Sequence, residues 1–201
     1  SELSLFNASE STLPQKMSAP TLQVLQLAQE ISKLTQGRFD VTVGPLVNAW
    51  GFGPDGPQNM VSEEELALLL SYVGYQKLTL HLESQSLSKA HPKTYVDLSA
   101  IAKGFAVDQV AASIEALGHR SYMIEIGGEV FAKGQNAKDA PWRIGIETPS
   151  AHAPGIFQVV SLSGEALATS GDYRNFYEKD GLRFSHTIDP QTGRPIKHNL
   201  A

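Results

Sequence analysis

Apolar residues recur at intervals of three and four from Leu22 to Leu34, through Leu25, Ala28 (with Leu27) and Ile31, and this spacing predicts an amphipathic helix. Ser18, just ahead of Ala19-Pro20, is placed to cap it, and Gly37 to end it. A second, short helix is predicted where Ser62-Glu63-Glu64-Glu65 leads into Leu66 to Leu70. The serine and the third glutamate have the form of a capping box, and the acidic first turn suits the helix dipole. Between Lys77 and Glu83 the period drops to two, which predicts a strand with Leu78, Leu80 and Leu82 on one face and His81 on the other. A third helix is predicted after Asp97-Leu98-Ser99, carrying Ile101, Ala102, Phe105, Ala106, Val110, Ile114 (or Ala111) and Leu117, with Gly118 as its stop.

Beyond Gly118 the sequence changes character. Ser121 to Ile126, Glu129 to Lys133, Trp142 to Glu147 and Phe157 to Leu162 read as strands separated by Gly-rich or Pro-rich turns. A last pair, Tyr173 to Tyr177 and Leu182 to Ile188, is joined by Glu178-Lys179-Asp180-Gly181, whose Asp-Gly is a hairpin signal. Helices cluster early and strands late, so the fold class expected is α+β. No fixed-period repeat and no low-complexity tract interrupts it.

Composition narrows the function classes. With 16 Lys and Arg against 21 Asp and Glu, the net charge of −5 leaves no basic surface to neutralise a phosphate backbone, which argues against nucleic acid. The absence of cysteine excludes thiolate catalysis, Cys-ligated zinc, iron–sulfur clusters and disulfides. Apolar runs such as Leu66 to Leu70 fall far short of the ~20 residues of a membrane helix. The first residues lack an initiating Met and a signal core, and His198-Asn199-Leu200-Ala201 closes no element, so both ends are expected to lie inside a longer protein.

Five segments could carry chemistry. Gly51-Phe52-Gly53-Pro54-Asp55-Gly56 fits the dinucleotide glycine pattern in form, but its prolines sit where that pattern opens a helix, so a loop is expected. Asp97-Leu98-Ser99-Ala100-Ile101-Ala102-Lys103-Gly104 places two capping side chains and an ammonium around a helix start. That arrangement suits a phosphate, and equally an ordinary cap with a solvated lysine. Gly127-Gly128 can be a bulge or a place where a ligand approaches the backbone. Ala168-Thr169-Ser170-Gly171-Asp172-Tyr173 is a hydroxyl-rich turn able to bind a polar ligand or simply to reverse the chain. His186, followed by Asp189-Pro190-Gln191-Thr192-Gly193-Arg194-Pro195, is the one histidine of six with polar company, and an imidazole titrating near neutrality can act as a base. No Gly-x-Ser-x-Gly, His-Glu-x-x-His or Walker loop is present. From residue chemistry alone the reading stops at an α+β domain that binds a phosphorylated ligand.

The segments also occur in a particular order: Asn7, then Thr35 to Gly53, Val96 to Gly104, Glu125 to Glu129, Ala168 to Tyr173, and His186 to Pro195. In this order they resemble the ApbE family, the FAD:protein FMN transferases, over nearly the whole chain. The resemblance implies mixed and antiparallel sheets with helices packed on them, and a cofactor cleft between the helical and strand-rich halves. It implies a Mg2+-dependent enzyme that splits FAD, attaches FMN to a Thr or Ser hydroxyl of an acceptor protein and releases AMP. Acceptors in the family are subunits of exported or membrane redox complexes, such as sodium-translocating NADH:quinone reductase.

By resemblance, His186 is the catalytic base, and Asp97 and Lys103 contact FAD. Arg38, Phe39 and Asp40 lie in a further FAD-contacting segment, with Ile188 at another contact position. Gly127, Gly128, Ser170, Gly171 and Asp172 line the cofactor cleft. The Ala100 carbonyl matches a magnesium ligand. The family's first strand and its metal-binding helix beyond the His-x-x-Asp-Pro turn are not found, so half a metal site is expected from these residues alone. Two other activities stay open: FAD hydrolysis to FMN and AMP, and flavin binding without turnover. Family members are exported and often lipid-anchored, which implies a periplasmic location.

Overall fold

Local capping sets the first helices. In a computed structural model, which describes residues 1–53, 61–149, 155–171, 175–179 and 181–197, helix α1 (Glu2–Ala8) is followed by a short strand β1 (Gln15–Lys16) and by α2 (Ala19–Leu34). Ser18 caps α2 toward Thr21 N–H, and the Glu2 carboxylate of α1 reaches the same end, bonding Ser18 N–H at 2.8 Å and the Ser18 hydroxyl at 2.5 Å. Those bonds hold Glu2 below the ordinary carboxylate range. At the other end Gly37 adopts φ 79° and donates to Ser32 O at 2.8 Å, the left-handed turn expected of it. The buried stripe is Leu22, Val24, Leu25, Ala28 and Ser32. Leu27 and Leu34 lie off it and stay exposed, because successive residues rotate by about 100° and the stripe is centred on Leu25, Ala28 and Ser32.

Helix α3 (Gly44–Ala49) was not foreseen, while α4 (Glu63–Leu70) begins at Ser62, whose hydroxyl accepts from Glu65 N–H at 3.1 Å, as expected. The strand expected from Lys77 to Glu83 is β2 (Leu78–His81). It ends before Leu82, because the chain turns over Leu82–Gln85 with Gln85 at φ 47°. The turn leads into β3 (Ser86–Lys89), which pairs antiparallel with β2 and with β1. No strand was expected in Ser86-Leu87-Ser88-Lys89, since it buries a serine and a lysine rather than alternating apolar residues.

Residues divide into two compact units, Ser1–Ala100 with Tyr177–His198, and Ile101–Phe176 with the last three residues. The second opens with α5 (Ala102–Ala116), stopped at Gly118 with φ 90°. Its buried face is Val107 and Ala111, with Ile114 partly buried, whereas Val110 and Leu117 are exposed. The sequence pattern mixed two faces of a helix that is apolar or small nearly all round. α5 packs on the hairpin β4 (Tyr122–Ile126) and β5 (Glu129–Lys133) through Tyr122 and Ile124. Glu115 of α5 accepts from Tyr122 OH at 2.5 Å and Lys133 Nζ at 2.8 Å. A second hairpin, β6 (Trp142–Glu147) with β7 (Ile156–Leu162), and the short β8 (Glu165–Leu167) beside β5 complete the described part of the unit.

The chain re-enters the first unit along β9 (Phe176–Lys179), which pairs with β10 (Leu182–Ser185). Gly181 takes φ 72° at their turn, and Asp180 lies outside the described residues. β11 (Ile188–Asp189) and β12 (Arg194–Pro195) form a last small hairpin. The expected strand Leu182 to Ile188 is thus two strands, broken at His186-Thr187. Phe184 and Ile188 fill a core with Leu46, Trp50, Leu66 and Val73, so the late segment packs against α3 and α4. Helices with antiparallel sheets bear out the α+β expectation. Among the described residues no helix is long and apolar enough to cross a membrane.

Candidate functional site

Three of the segments singled out in the sequence are fastened to one another inside the first unit. Past the end of α2, Thr35 Oγ1 accepts from Phe39 N–H at 3.1 Å, which folds Arg38 and Phe39 back against the helix. Asp97 N–H donates to Val41 O at 2.7 Å, so Asp97 is anchored one residue from Asp40. Gln191, in the turn after His186, donates to Gln36 O at 3.1 Å. The Trp50 indole N–H reaches Gly193 O of the same turn at 2.7 Å.

Each side chain has a distinct setting. Asp40 is buried and fully engaged: Oδ1 accepts from Thr42 N–H and Oγ1 at 2.8 and 2.6 Å, and Oδ2 from Tyr75 N–H at 2.7 Å. Its carboxylate builds the turn, while Arg38 is exposed and Phe39 half-buried beside it. Asp97 Oδ1 accepts from Ser99 N–H at 2.8 Å, closing a tight turn. Neither Asp97 nor Ser99 caps α5, whose N-cap is Ile101 with no side-chain bond. The first helical bond at that end runs from Phe105 N–H to Ile101 O, which leaves the exposed Ala100 carbonyl one residue outside the ladder.

His186 is half-buried at the end of a line of aromatic rings. Trp50 stacks on Phe184 at 5.7 Å, Phe184 on Tyr177 at 5.1 Å, Tyr177 meets Phe52 at 5.3 Å, and Phe52 presents its edge to the imidazole at 6.3 Å. Burial in this line pushes the Tyr177 phenol above its ordinary value. Ile188 is buried in the core with Leu46, Trp50, Leu66, Val73 and Phe184. Phe52 was quoted only within a glycine-rich loop and Tyr177 only within a strand, and the folded chain brings the two together beside His186.

In the second unit the lysine and the double glycine, read separately in the sequence, meet. Lys103 Nζ donates to Gly127 O at 2.8 Å and pairs with Glu129 Oε1 at 2.8 Å. Glu125 Oε1 accepts from Gly128 N–H at 2.7 Å, and Gly127 and Gly128 adopt φ 57° and 94°. A Cβ at Gly127 would stand 2.9 Å from Lys103 Cδ, so glycine there lets the lysine cross the turn. Glu129, quoted in the motif but given no role, is the counter-charge. Ser170 and Gly171 lie exposed after β8, and Asp172 is outside the described residues.

Lys89 is a further residue the sequence did not mark. It is 2% exposed, and its ammonium donates to Phe6 O at 3.1 Å and Thr94 O at 3.3 Å over the Phe6 ring. Burial lowers its pKa from the usual 10.5. Folding therefore disfavours its charged form: the penalty is complete below the folded-state pKa and is relieved as pH rises from there toward 10.5. Paired urea denaturation of the protein and Lys89→Met should show their stability difference shifting in favour of the native lysine from about pH 7 to about pH 10. A difference that is flat with pH would contradict this.

Magnesium takes oxygen ligands and often keeps several waters. Among the described residues no group of three or more His, Cys, Asp or Glu could hold a metal ion.

Comparison with known proteins gives a consistent result. A profile of the ApbE family matches residues 1–201. A protein of Haemophilus influenzae named FAD:protein FMN transferase is 48% identical over 206 residues, covering all of this chain and 60% of that protein. One of the same name from Escherichia coli is 42% identical, covering all of this chain and 58% of the other. The solved flavin transferase ApbE of Vibrio cholerae superposes with a TM-score of 0.86 at 47% identity, over 98% of this chain and 62% of that one. The chain thus spans about three fifths of the length of these relatives.

Proposed function

The chain belongs to the ApbE family, and on that premise we propose that it carries the FAD-binding and base-bearing part of an enzyme that transfers FMN from FAD to a Thr or Ser hydroxyl of an acceptor protein. The observation behind this reading is the mutual fastening of three segments, 36–41, 97 and 186–193, by Asp97 N–H on Val41 O and Gln191 on Gln36 O. Those are segments whose counterparts the resemblance assigns to FAD or to the base.

In the proposed reaction the acceptor hydroxyl oxygen attacks the phosphorus on the riboflavin side of the FAD diphosphate. The bridging P–O bond breaks, AMP leaves with the bridging oxygen, and the hydroxyl proton passes to the His186 imidazole. Transfer of this kind depends on positioning and charge more than on covalent chemistry. By the resemblance Lys103 is an FAD contact, and within the second unit Gly127 O and Glu129 hold its ammonium. Asp97 and the 38–40 segment orient the dinucleotide, and the aromatic line behind His186 keeps the ring from turning away.

By the resemblance, the Ala100 carbonyl would be this chain's ligand to Mg2+, which would supply positive charge at the diphosphate. The acceptor is a flavoprotein subunit of a redox complex, and the location periplasmic.

The test incubates the protein with FAD, Mg2+ and a threonine-containing acceptor and follows acceptor mass and AMP. An FMN adduct with equimolar AMP is expected, and its loss with EDTA. AMP without an adduct would replace transfer by hydrolysis. Bound FAD with neither product would leave a binding module.

A further inference from the structure

The segment that delivers Asp97 belongs to no strand, yet it is held at Thr94, Val96 and Asp97. Lys89 takes Thr94 O at 3.3 Å, Thr94 Oγ1 donates to Tyr72 O at 2.9 Å, and Asp97 N–H is held by Val41 O at 2.7 Å. Between them sits Asn7, at the end of α1, 89 positions away in sequence. Its Nδ2 donates to Val96 O at 2.8 Å, and its Oδ1 accepts from Val96 N–H at 2.8 Å. One side-chain amide thus satisfies both backbone groups of a residue that is 1% exposed, as a neighbouring strand would.

Side chains satisfy backbone groups at other turns of this unit too, as Asp40 does for Tyr75 N–H and Trp50 for Gly193 O. Two side chains converge on residues 94–97, Asn7 from α1 and Lys89 from β3 five residues before Thr94, and the second is an ammonium held in the core by the carbonyls of Phe6 and Thr94. A buried charge of that kind is a poor way to gain stability. Its geometry instead fixes where the chain emerges at Asp97.

We propose that Asn7 is a positioning residue for the flavin dinucleotide site, acting through Val96 to set Asp97, with Lys89 fastening the same segment at Thr94. This rests on the reading of Asp97 as a dinucleotide contact. Asn7 touches no substrate; it presets the one conformation of residues 94–97 in which Asp97 is presented, so that the ordering cost is met on folding rather than on binding.

Asn7→Asp tests this, because it is isosteric and keeps the acceptor for Val96 N–H while removing the donor to Val96 O. Asn7→Leu removes both bonds at similar volume. Local loosening is read by hydrogen exchange at the Asp97 amide, and function by FAD titration and by the division of any rate loss between KM for FAD and kcat.

For Asn7→Asp, Asp97 amide exchange should quicken by about tenfold and FAD affinity weaken by about tenfold, the factor expected for one net hydrogen bond. Amides of α4 should exchange as before, and kcat at saturating FAD should stay within about twofold, since the loss is in ground-state presentation. Asn7→Leu should show the same pattern more strongly. Unchanged Asp97 exchange in both variants would overturn the proposal, and so would faster exchange with FAD affinity intact. Uniformly faster exchange across the first unit, with KM and kcat both preserved in the folded fraction, would reduce Asn7 to a stabilising residue and likewise sink it. If the unaltered protein binds no FAD, the functional reading fails, and the exchange measurement still decides whether Asn7 holds Asp97.

Discussion

Replacing His186 by alanine should lower FMN transfer by at least about 100-fold while FAD affinity stays within about twofold of the native value, since a positioned base contributes on this scale. The separation follows from where the ring stands. It closes a line of aromatic contacts from Trp50 to Phe52 and is only half-buried, so alanine removes little from the core. The residues placed on the dinucleotide, in contrast, are secured by other elements: Asp97 by Val41 and, through Val96, by Asn7, and Lys103 by Gly127 and Glu129. The measurement is single-turnover adduct formation by mass spectrometry, beside a flavin fluorescence titration. Transfer at the native rate would remove the imidazole from the mechanism, and a parallel loss of FAD binding would make it a binding residue instead.

Gly193→Ala should destabilise the fold by about 2–4 kcal/mol, combining a left-handed backbone penalty with overpacking. Gly193 adopts φ 68°, and a Cβ there would stand 2.6 Å from Leu66 Cδ1 and 3.1 Å from Leu46 Cδ2. Both leucines are buried in the core that also holds Trp50, so neither has open space to move into. Trp50 makes the effect visible, since its indole N–H bonds Gly193 O at 2.7 Å and it is one of only two tryptophans. Thermal unfolding followed by tryptophan fluorescence should show a midpoint lower by about 5–15 °C for a chain of this size. A native midpoint would mean that α4 yields to a methyl group without cost.

What the sequence disclosed of this fold is what short-range chemistry controls. Ser18, Ser62, Gly37 and Gly118 act within five residues of themselves, and each lies where its capping or stop role requires. The hairpins from Tyr122 to Leu162 were equally visible, since alternation and glycine turns are local. β3 was not, because it buries a serine and a lysine, and the Lys89 ammonium is held in part by the carbonyl of Phe6, 83 positions away. The face of α5 was misjudged because its alanines and valines offer no polar side to contrast with the buried one. At the site, residue types and order pointed to Asp97, Lys103 and His186. The links that organise them, Asn7 to Val96 and Glu129 to Lys103, join positions whose proximity only the folded chain creates. Asn7 was noticed as part of a pattern, but nothing in its neighbourhood says that it substitutes for a strand.

The division of the first unit has a consequence for biosynthesis. Its core around Leu46, Trp50 and Leu66 is completed by Phe184 and Ile188, and the bond from Trp50 closes on a residue 143 positions later. While the ribosome makes the intervening stretch, at roughly 5–20 residues per second, those apolar side chains wait uncovered for several seconds. The nascent protein is therefore most in need of a chaperone after α4 has emerged and before the aromatic end of the sheet arrives, and slowing translation across residues 101–176 should increase aggregation more than slowing it anywhere else.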